Sequence, residues 1–218
     1  MNAAPFETFA ALTSIPWIRH GFTLRAPQIA VQVQREQALG LLAESHLESV
    51  ANIGLASRKL VTAEQVHWNT VRIIDSTNTA FIPDCDGLLT NDPNIALGIY
   101  TADCGAIYLV DTEHRALGLL HSGRKGTELG ILSKAVAAMR QRFSTDPSKL
   151  IVQLAPCIRP PNYEIDFASE IAAQALRLGI QNFHDCGKCT ASNLEDYYSY
   201  RKELGKTGRH LAVLGYAD

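Results

Sequence analysis

Cys104 and His121 are the two side chains in this sequence whose types and spacing most directly suggest shared chemistry. Cys104 stands just before one apolar run, Ala106–Val110, and His121 just after another, Ala116–Leu120; the polar segment Asp111–Arg115 lies between them. Two short apolar runs joined by a turn-like segment read as a β-hairpin. With a two-residue turn at Thr112–Glu113, Cys104 falls directly opposite His121; with a three-residue turn it is one place out. Opposed residues on paired strands have Cβ atoms about 5 Å apart, so a thiol and an imidazole are expected to meet at the open end of the hairpin. Such a pair suits zinc or copper, and it equally suits a nucleophile with its general base. A lone Cys and His on strand ends also fit a purely structural role.

The segment after His121 is the second candidate. Ser122-Gly123-Arg124-Lys125-Gly126-Thr127 leads into Leu129, Leu132, Val136, Met139 and Phe143. These repeat at steps of three and four, which makes one apolar helical stripe. Thr127 is the expected N-cap, and the free N–H groups of the helix start, with Arg124 and Lys125, form an anion pocket. Gly130 inside that helix costs about 1 kcal/mol relative to Ala and is read as close packing on a sheet. Arg201 follows Tyr197 and Tyr198 by four and three places, so on a helix it shares their face and either snorkels or meets an anion. The plainer reading of Arg124, Lys125, Lys202, Lys206 and Arg209 is a solvated basic surface. A third candidate, Cys186-Gly187-Lys188-Cys189, is half a zinc site or a redox pair, without a second such motif in the chain. Cys85 and Cys157 read as buried turn residues.

The remaining elements must position these groups. Residues 20–31 are expected as an edge strand and loop, and Arg35–Ser45 as a helix with Ala38, Leu41 and Leu42 on one face. Strands are expected at Thr70–Ile74, Leu88–Thr90, Ala96–Tyr100, Leu150–Leu154 and Leu211–Tyr216. Asp166 caps a helix carrying Phe167, Ile171, Ala175 and Leu178, with Gly179 as its stop. Ser192–Glu195 fits a capping box opening a helix that holds Tyr197, Tyr198 and Arg201 and ends at Gly205. Strands and helices mix without regular alternation, which implies an α+β fold with mixed sheets, read as one domain over residues 1–218.

Composition narrows the function classes. The 218 residues are 46% hydrophobic and 19% charged, with a formal net charge of −2. That balance gives no footprint for nucleic acid or a membrane surface. The longest apolar runs fall short of the ~20 residues a membrane span needs. Residues 1–20 lack a basic start followed by a sustained apolar core, so the cytoplasm is the expected location. Five cysteines cannot all pair within the chain, and in a reducing compartment they read as buried residues, ligands or nucleophiles. Nothing in the sequence speaks to oligomeric state.

A set of short motifs then adds a resemblance. In order, they are Gln65-Val66-His67, Asp86-Gly87-Leu88-Leu89-Thr90, Thr101-Ala102-Asp103-Cys104, His121-Ser122-Gly123 with Gly126-Thr127, Ala155-Pro156-Cys157-Ile158 with Tyr163-Glu164-Ile165, Tyr198-Ser199-Tyr200-Arg201 and Thr207-Gly208-Arg209. From about His20 onward the chain resembles the laccase-domain family (multicopper polyphenol oxidase-like, YfiH-type). The resemblance implies a four-layer α/β/β/α sandwich with mixed β-sheets. It implies a metal, zinc with copper as the alternative, held by His67, Cys104 and His121 at the centre of catalysis; His67 enters the set only through the resemblance. It implies purine nucleoside chemistry: phosphorolysis of adenosine, inosine and methylthioadenosine, and deamination of adenosine. The partners are then purine nucleosides and phosphate, with no nucleic acid and no membrane.

The chain departs from the family pattern at His121-Ser122-Gly123-Arg124-Lys125-Gly126, where the family usually carries His-Ala-Gly-Trp-Arg-Gly, and at Trp68, where it usually has Gly. Lys is a point charge without the planar guanidinium fork, and a stacking surface for a base is lost with the tryptophan. From charge and placement alone, Arg124, Lys125 and the helix start are expected to hold phosphate, assisted by Arg35 or Arg201. Three other readings stay open: a metal-free hydrolase with Cys104 as nucleophile and His121 as base, a copper polyphenol oxidase, and a binding protein without turnover. Multicopper chemistry needs many His ligands, and of seven histidines only His67 and His121 fall in shared motifs.

Overall fold

The computed structural model describes residues 5–218. Along the chain the elements are β1 (Phe6–Glu7), α1 (Ala10–Thr13), β2 (Ile18–Thr23), α2 (Arg35–Ile53), β3 (Lys59–Ala63), β4 (Val71–Ile73), β5 (Phe81–Ile82), β6 (Gly87–Thr90), β7 (Ile95–Thr101), β8 (Gly105–Asp111), β9 (Ala116–Ser122), α3 (Arg124–Glu128), α4 (Ile131–Phe143), β10 (Ile151–Leu154), α5 (Phe167–Arg177), β11 (Asn182–Asp185) and β12 (His210–Tyr216). No helix among the described residues is long and apolar enough to cross a membrane.

Two six-stranded sheets form, in the orders β1-β2-β12-β7-β3-β5 and β11-β10-β8-β9-β6-β4. Both are mixed: β3 runs parallel to β5 and β7, β4 to β6, and β11 to β10, and the other pairs are antiparallel. Side-chain alternation along each strand explains the layering. Leu97, Ile99, Ala212 and Leu214 of the first sheet meet Leu88, Ala106, Tyr108, Leu117 and Leu119 of the second in one buried core. The opposite face of the first sheet, with Ala96, Leu211 and Val213, packs on Val50 and Ile53 of α2. The outer face of the second sheet, with Ile107, Leu109 and Leu120, packs on Leu132, Val136 and Met139 of α4 and on Phe167, Ile171 and Ala175 of α5. The layers are therefore α2, sheet, sheet, α4 with α5, the four-layer α/β/β/α sandwich of an α+β fold. Tyr108 spans the middle, donating its hydroxyl to the Gly21 carbonyl at 2.7 Å.

Local chemistry sets the element ends. Helix α2 runs past Ser45 to Ile53, where Gly54 at φ 90° turns left-handed and returns its N–H to Val50 and Ala51; glycine adopts that conformation without a Cβ penalty. Its buried stripe is Ala38, Leu42, His46, Ser49, Val50 and Ile53, while Leu41, expected on that face, is exposed. Asp166 caps α5 as expected, accepting the Ser169 N–H at 3.0 Å, and Gly179 stops it at φ 78°.

Four expectations are corrected. The β8–β9 turn holds four residues, because Asp111 accepts the N–H groups of Glu113 and His114 and Arg115 takes a left-handed φ of 51°. Ala106 therefore stands opposite His121, and Cys104 is displaced by two places from the expected register. Gly130 is not a packing glycine inside one helix. It sits at φ 72° and separates the five-residue α3 from α4, so Thr127 lies within α3 and Gly123 precedes it. No helix follows Ser192–Glu195, because the backbone there finds partners elsewhere: the Tyr198 N–H goes to His210 Nε2, the Arg201 N–H to Asp103, and the Tyr197 carbonyl to Arg25. Strand β2 is not an edge, since β1 and β12 flank it.

Candidate metal centre

Cys104 lies on the three-residue link between β7 of one sheet and β8 of the other. A chain that changes sheets in so few residues must turn sharply, and Asp103 does so at φ 84°, a conformation that costs a non-glycine residue of order 1–3 kcal/mol. The Asp103 carboxylate holds the turn by accepting from Thr190 Oγ1 at 2.6 Å, Ser199 Oγ at 3.0 Å and the Arg201 N–H at 2.7 Å. His67 sits on another crossing between the sheets, from β3 to β4, where Gln65 and His67 also take positive φ. The Gln65 side-chain amide clips this loop to β7, accepting the Tyr100 N–H at 2.9 Å and donating to the Tyr100 carbonyl. His121, next to last in β9, lies on the face shared with Ala106, at the mouth of the space between the sheets.

The three segments converge. One ligand atom each from His67, Cys104 and His121 lie within 4.8 Å of one another, and the two imidazoles meet edge to face with centroids 4.8 Å apart. Gly123 makes room for the thiol: a Cβ there would sit 2.5 Å from Cys104 Sγ. Asp86, fully buried, orders the arrangement. Its Oδ1 accepts the His67 N–H at 2.9 Å and faces His121 Nδ1 at 2.8 Å, and its Oδ2 accepts the Trp68 N–H at 2.8 Å. With Nδ1 so engaged, His121 offers Nε2, the arrangement in which a carboxylate fixes the tautomer of a metal-ligating histidine.

The electrostatics favour a thiolate. Burial alone would raise the Cys104 pKa, but the His121 and His67 rings beside it outweigh burial and bring it down to about 6. Burial alone would lower His121, but Cys104 and Asp86 lift it to about 9. Asp86 is held below the usual carboxylate range, because its bonds to His121, Trp68 and His67 outweigh burial. A deprotonated sulfur with two imidazoles is a fitting donor set for a borderline-soft divalent ion, and three protein donors leave a fourth tetrahedral position for water or substrate. Among the described residues this is the one group of three or more His, Cys, Asp or Glu able to hold an ion. His20, His46 and His210 are buried and bonded to backbone groups elsewhere, and Cys186 and Cys189 join no such group.

A cleft of about 860 Å³ opens over the three donors, walled by Tyr100, Tyr163, Phe167 and Tyr200. Its size falls in the range for small-molecule sites, and aromatic walls suit a flat base. Arg35, Arg124 and Arg201 line it; Lys125 does not. The basic loop differs from expectation in detail. Arg124 is exposed and paired with Glu128 at 2.8 Å, Lys125 Nζ stands 4.2 Å over the Trp68 ring, and α3 is too short to project a helix-end field. Arg201 is exposed and paired with Glu164 at 3.0 Å. Sequence reasoning overlooked Asp86, read as turn chemistry; Asp103; Gly123 as the partner of Cys104; and Arg209, assigned to a solvated surface but buried in the cleft wall. For all four, position within the shared motifs was the available signal.

A family model described as multi-copper polyphenol oxidoreductase laccase matches residues 41–174 and 165–217. A purine nucleoside phosphorylase of Corynebacterium glutamicum is 28% identical, covering 90% of this chain and 94% of its own length. A purine nucleoside phosphorylase of Campylobacter jejuni is 34% identical over 73% of this chain and 78% of its own. Among solved structures, Bacillus licheniformis YfiH superposes with a TM-score of 0.85 at 19% identity, covering 98% of this chain and 97% of that one. Geobacillus stearothermophilus YlmD does so at 0.83 and 22%, covering 98% and 99%.

Proposed function

Because the chain belongs to the multi-copper polyphenol oxidoreductase laccase family, within which its relatives are named purine nucleoside phosphorylases, we propose that it is a zinc-dependent enzyme of purine nucleoside metabolism. The observation that carries this reading is the convergence of His67, Cys104 and His121 at the floor of an aromatic-walled cleft. The activities proposed are phosphorolysis of adenosine, inosine and methylthioadenosine, and deamination of adenosine, in the cytoplasm.

In phosphorolysis a phosphate oxygen bonds to ribose C1′ while the bond from C1′ to the purine nitrogen breaks; its electron pair leaves with the base, which takes up a proton. In deamination a water oxygen bonds to the purine carbon bearing the amino group, and ammonia leaves. Zinc held by His67, Cys104 and His121 would supply Lewis acidity toward the oxygen of phosphate or water. The protein's part is positional. Asp86 holds the His67 loop through two backbone N–H groups and keeps Nε2 of His121 turned to the site. The Asp103 and Gln65 clips fix the two strained crossings. The aromatic walls take the base and exclude water.

A second reading rests on the same thiol. Cys104 with a pKa near 6 beside His121, itself oriented by Asp86, has the parts of a cysteine nucleophile, base and orienting carboxylate. One experiment separates the two. Purified protein is assayed for metal content and incubated with adenosine, inosine and methylthioadenosine, with and without phosphate, and the products are resolved. Stoichiometric zinc, with free base and sugar phosphate formed only when phosphate is present, is the expected result. No phosphate-dependent base release from any of the three nucleosides would end the phosphorylase reading, and a metal-free, fully active protein would favour the thiol.

A further inference from the structure

Of the arginines lining the cleft, Arg124 and Arg201 are exposed and each is neutralised by a glutamate. Arg35 and Arg209 differ. Neither has a carboxylate partner among the described residues. Arg209 is only 7% exposed. Its Nη1 donates to the carbonyls of Thr207 and Gly208, both at 2.8 Å, which fixes the guanidinium plane. Among the described residues its Nε and Nη2 have no acceptor, and the residue lines the cleft. The Tyr200 ring lies 5.7 Å away. Burial and the nearby Arg35 charge both work against the Arg209 cation, while Cys104 and Asp103 are near enough to favour it.

Arg35 is the first residue of the 19-residue α2 and is half-buried, with Nη2 on the Glu64 carbonyl at 3.1 Å. The positive end of the α2 macrodipole thus adds to two guanidinium groups that make no direct ion pair with a carboxylate. Glu36, also in the cleft wall, is exposed. A buried arginine without a counter-ion is strongly unfavourable unless an anion completes it, and its planar fork matches two oxygens of a tetrahedral oxyanion.

We propose that Arg209 and Arg35 form the phosphate subsite of this cleft, beside Cys104, and that the Arg124–Lys125 loop does not. The proposal rests on the phosphorylase reading for the identity of the anion, and its test keeps the two apart. Binding of inorganic phosphate is measured by calorimetry on the protein as purified and after metal removal, and the KM for phosphate and for inosine is measured in parallel. Arg209→Gln is expected to weaken phosphate binding and raise its KM by roughly 10–100-fold, the scale of a lost charged hydrogen bond, with the inosine KM unchanged. Arg209→Lys should recover part of the loss. Arg35→Gln, at a half-buried position that folding tolerates better, should show the same direction, and Lys125→Ala no change. Phosphate binding that is absent from the wild type, or indifferent to both arginine substitutions, overturns the subsite. Arginine-dependent phosphate binding in a protein that phosphorolyses no nucleoside upholds the subsite and overturns the phosphorylase reading instead.

Discussion

Adding one methyl group at Gly123 tests the metal centre with little other disturbance. The Gly123 backbone, at φ −88° and ψ −168°, is ordinary extended geometry open to alanine. The new Cβ would lie 2.5 Å from Cys104 Sγ, whereas nonbonded heavy atoms settle at about 3.5–4 Å. The sulfur must therefore retreat by about 1 Å. Metal–ligand distances tolerate only ~0.2 Å, so the thiol leaves the coordination sphere or drags its turn with it. Cys104 swings on a single torsion, and an off-rotamer thiol costs about 0.5–1.5 kcal/mol, so the metal-free protein should lose only a few degrees of Tm. Zinc affinity, in contrast, should fall by at least the ~10–100-fold seen when ligand orientation is disturbed. Competition with a chromophoric chelator measures affinity, and thermal unfolding with and without chelator measures stability. Gly40→Ala is the control: nothing lies within 4 Å of its Cβ and it sits mid-α2, so it should stabilise by up to about 1 kcal/mol with zinc affinity unaltered. Wild-type zinc affinity in Gly123→Ala would refute the placement of Cys104 among the ligands.

Asp86→Asn puts an amide NH2 against N–H donors in either orientation, since Oδ1 and Oδ2 both face donors; zinc affinity should drop ~10–100-fold and stability by about 1.5–3 kcal/mol, and an unchanged chelator competition would remove Asp86 from the site. Cys104→Ser should lower zinc occupancy and activity together, and Cys104 in the zinc-loaded protein should resist alkylation until a chelator is added; rapid alkylation of the loaded protein with proportional loss of activity would establish the nucleophile instead. Acid should unfold the protein early. Burial holds the pKa of His20 and His46 at about 4 and that of His210 at about 3, against ~6.5 in the unfolded chain. The unfolded state therefore binds more protons between about pH 6.5 and 4, so stability present above that window is lost as pH falls through it. At ~1.4 kcal/mol per pK unit, the three together remove on the order of 9 kcal/mol by pH 4, comparable with the whole stability of a domain. Circular dichroism should place the acid midpoint between about pH 4 and 6; flat stability down to pH 4.5 would show that these rings are not held neutral.

The elements legible in the sequence were those whose own residues decide them. The runs that became β7, β8, β9, β10 and β12 are apolar, short and bounded by turns, and the α5 cap and stop are both local signals. The segment after Ser192 was misread because its N–H groups are claimed by His210 and Asp103, partners that no local pattern announces. The hairpin register failed on Arg115, whose positive φ added residues to the turn. The thiol and imidazole still meet, because Cys104 and His121 lie on the same face of the strand pair when Ala106 is the residue opposite His121. His67 came from motif resemblance alone, and the structure explains why spacing could not supply it: it reaches the site from a crossing between sheets, through a left-handed backbone that Asp86 stabilises.

The position of β12 has a consequence for how the molecule is made. Strand β2 pairs with β12 in the first sheet, and the Thr23–His210 contact that starts this pairing joins residues 187 apart. All six strands of the second sheet lie between Val71 and Asp185. At roughly 5–20 residues per second of synthesis, the second sheet is complete while β2 waits some ten to forty seconds for its partner. During that interval β2 and β7 each present an open hydrogen-bonding edge, the kind of surface that recruits other strands. The nascent chain is thus most prone to aggregate after His67, Cys104 and His121 have emerged and before β12 joins, and chaperones that shield strand edges should associate with ribosomes carrying chains of that length.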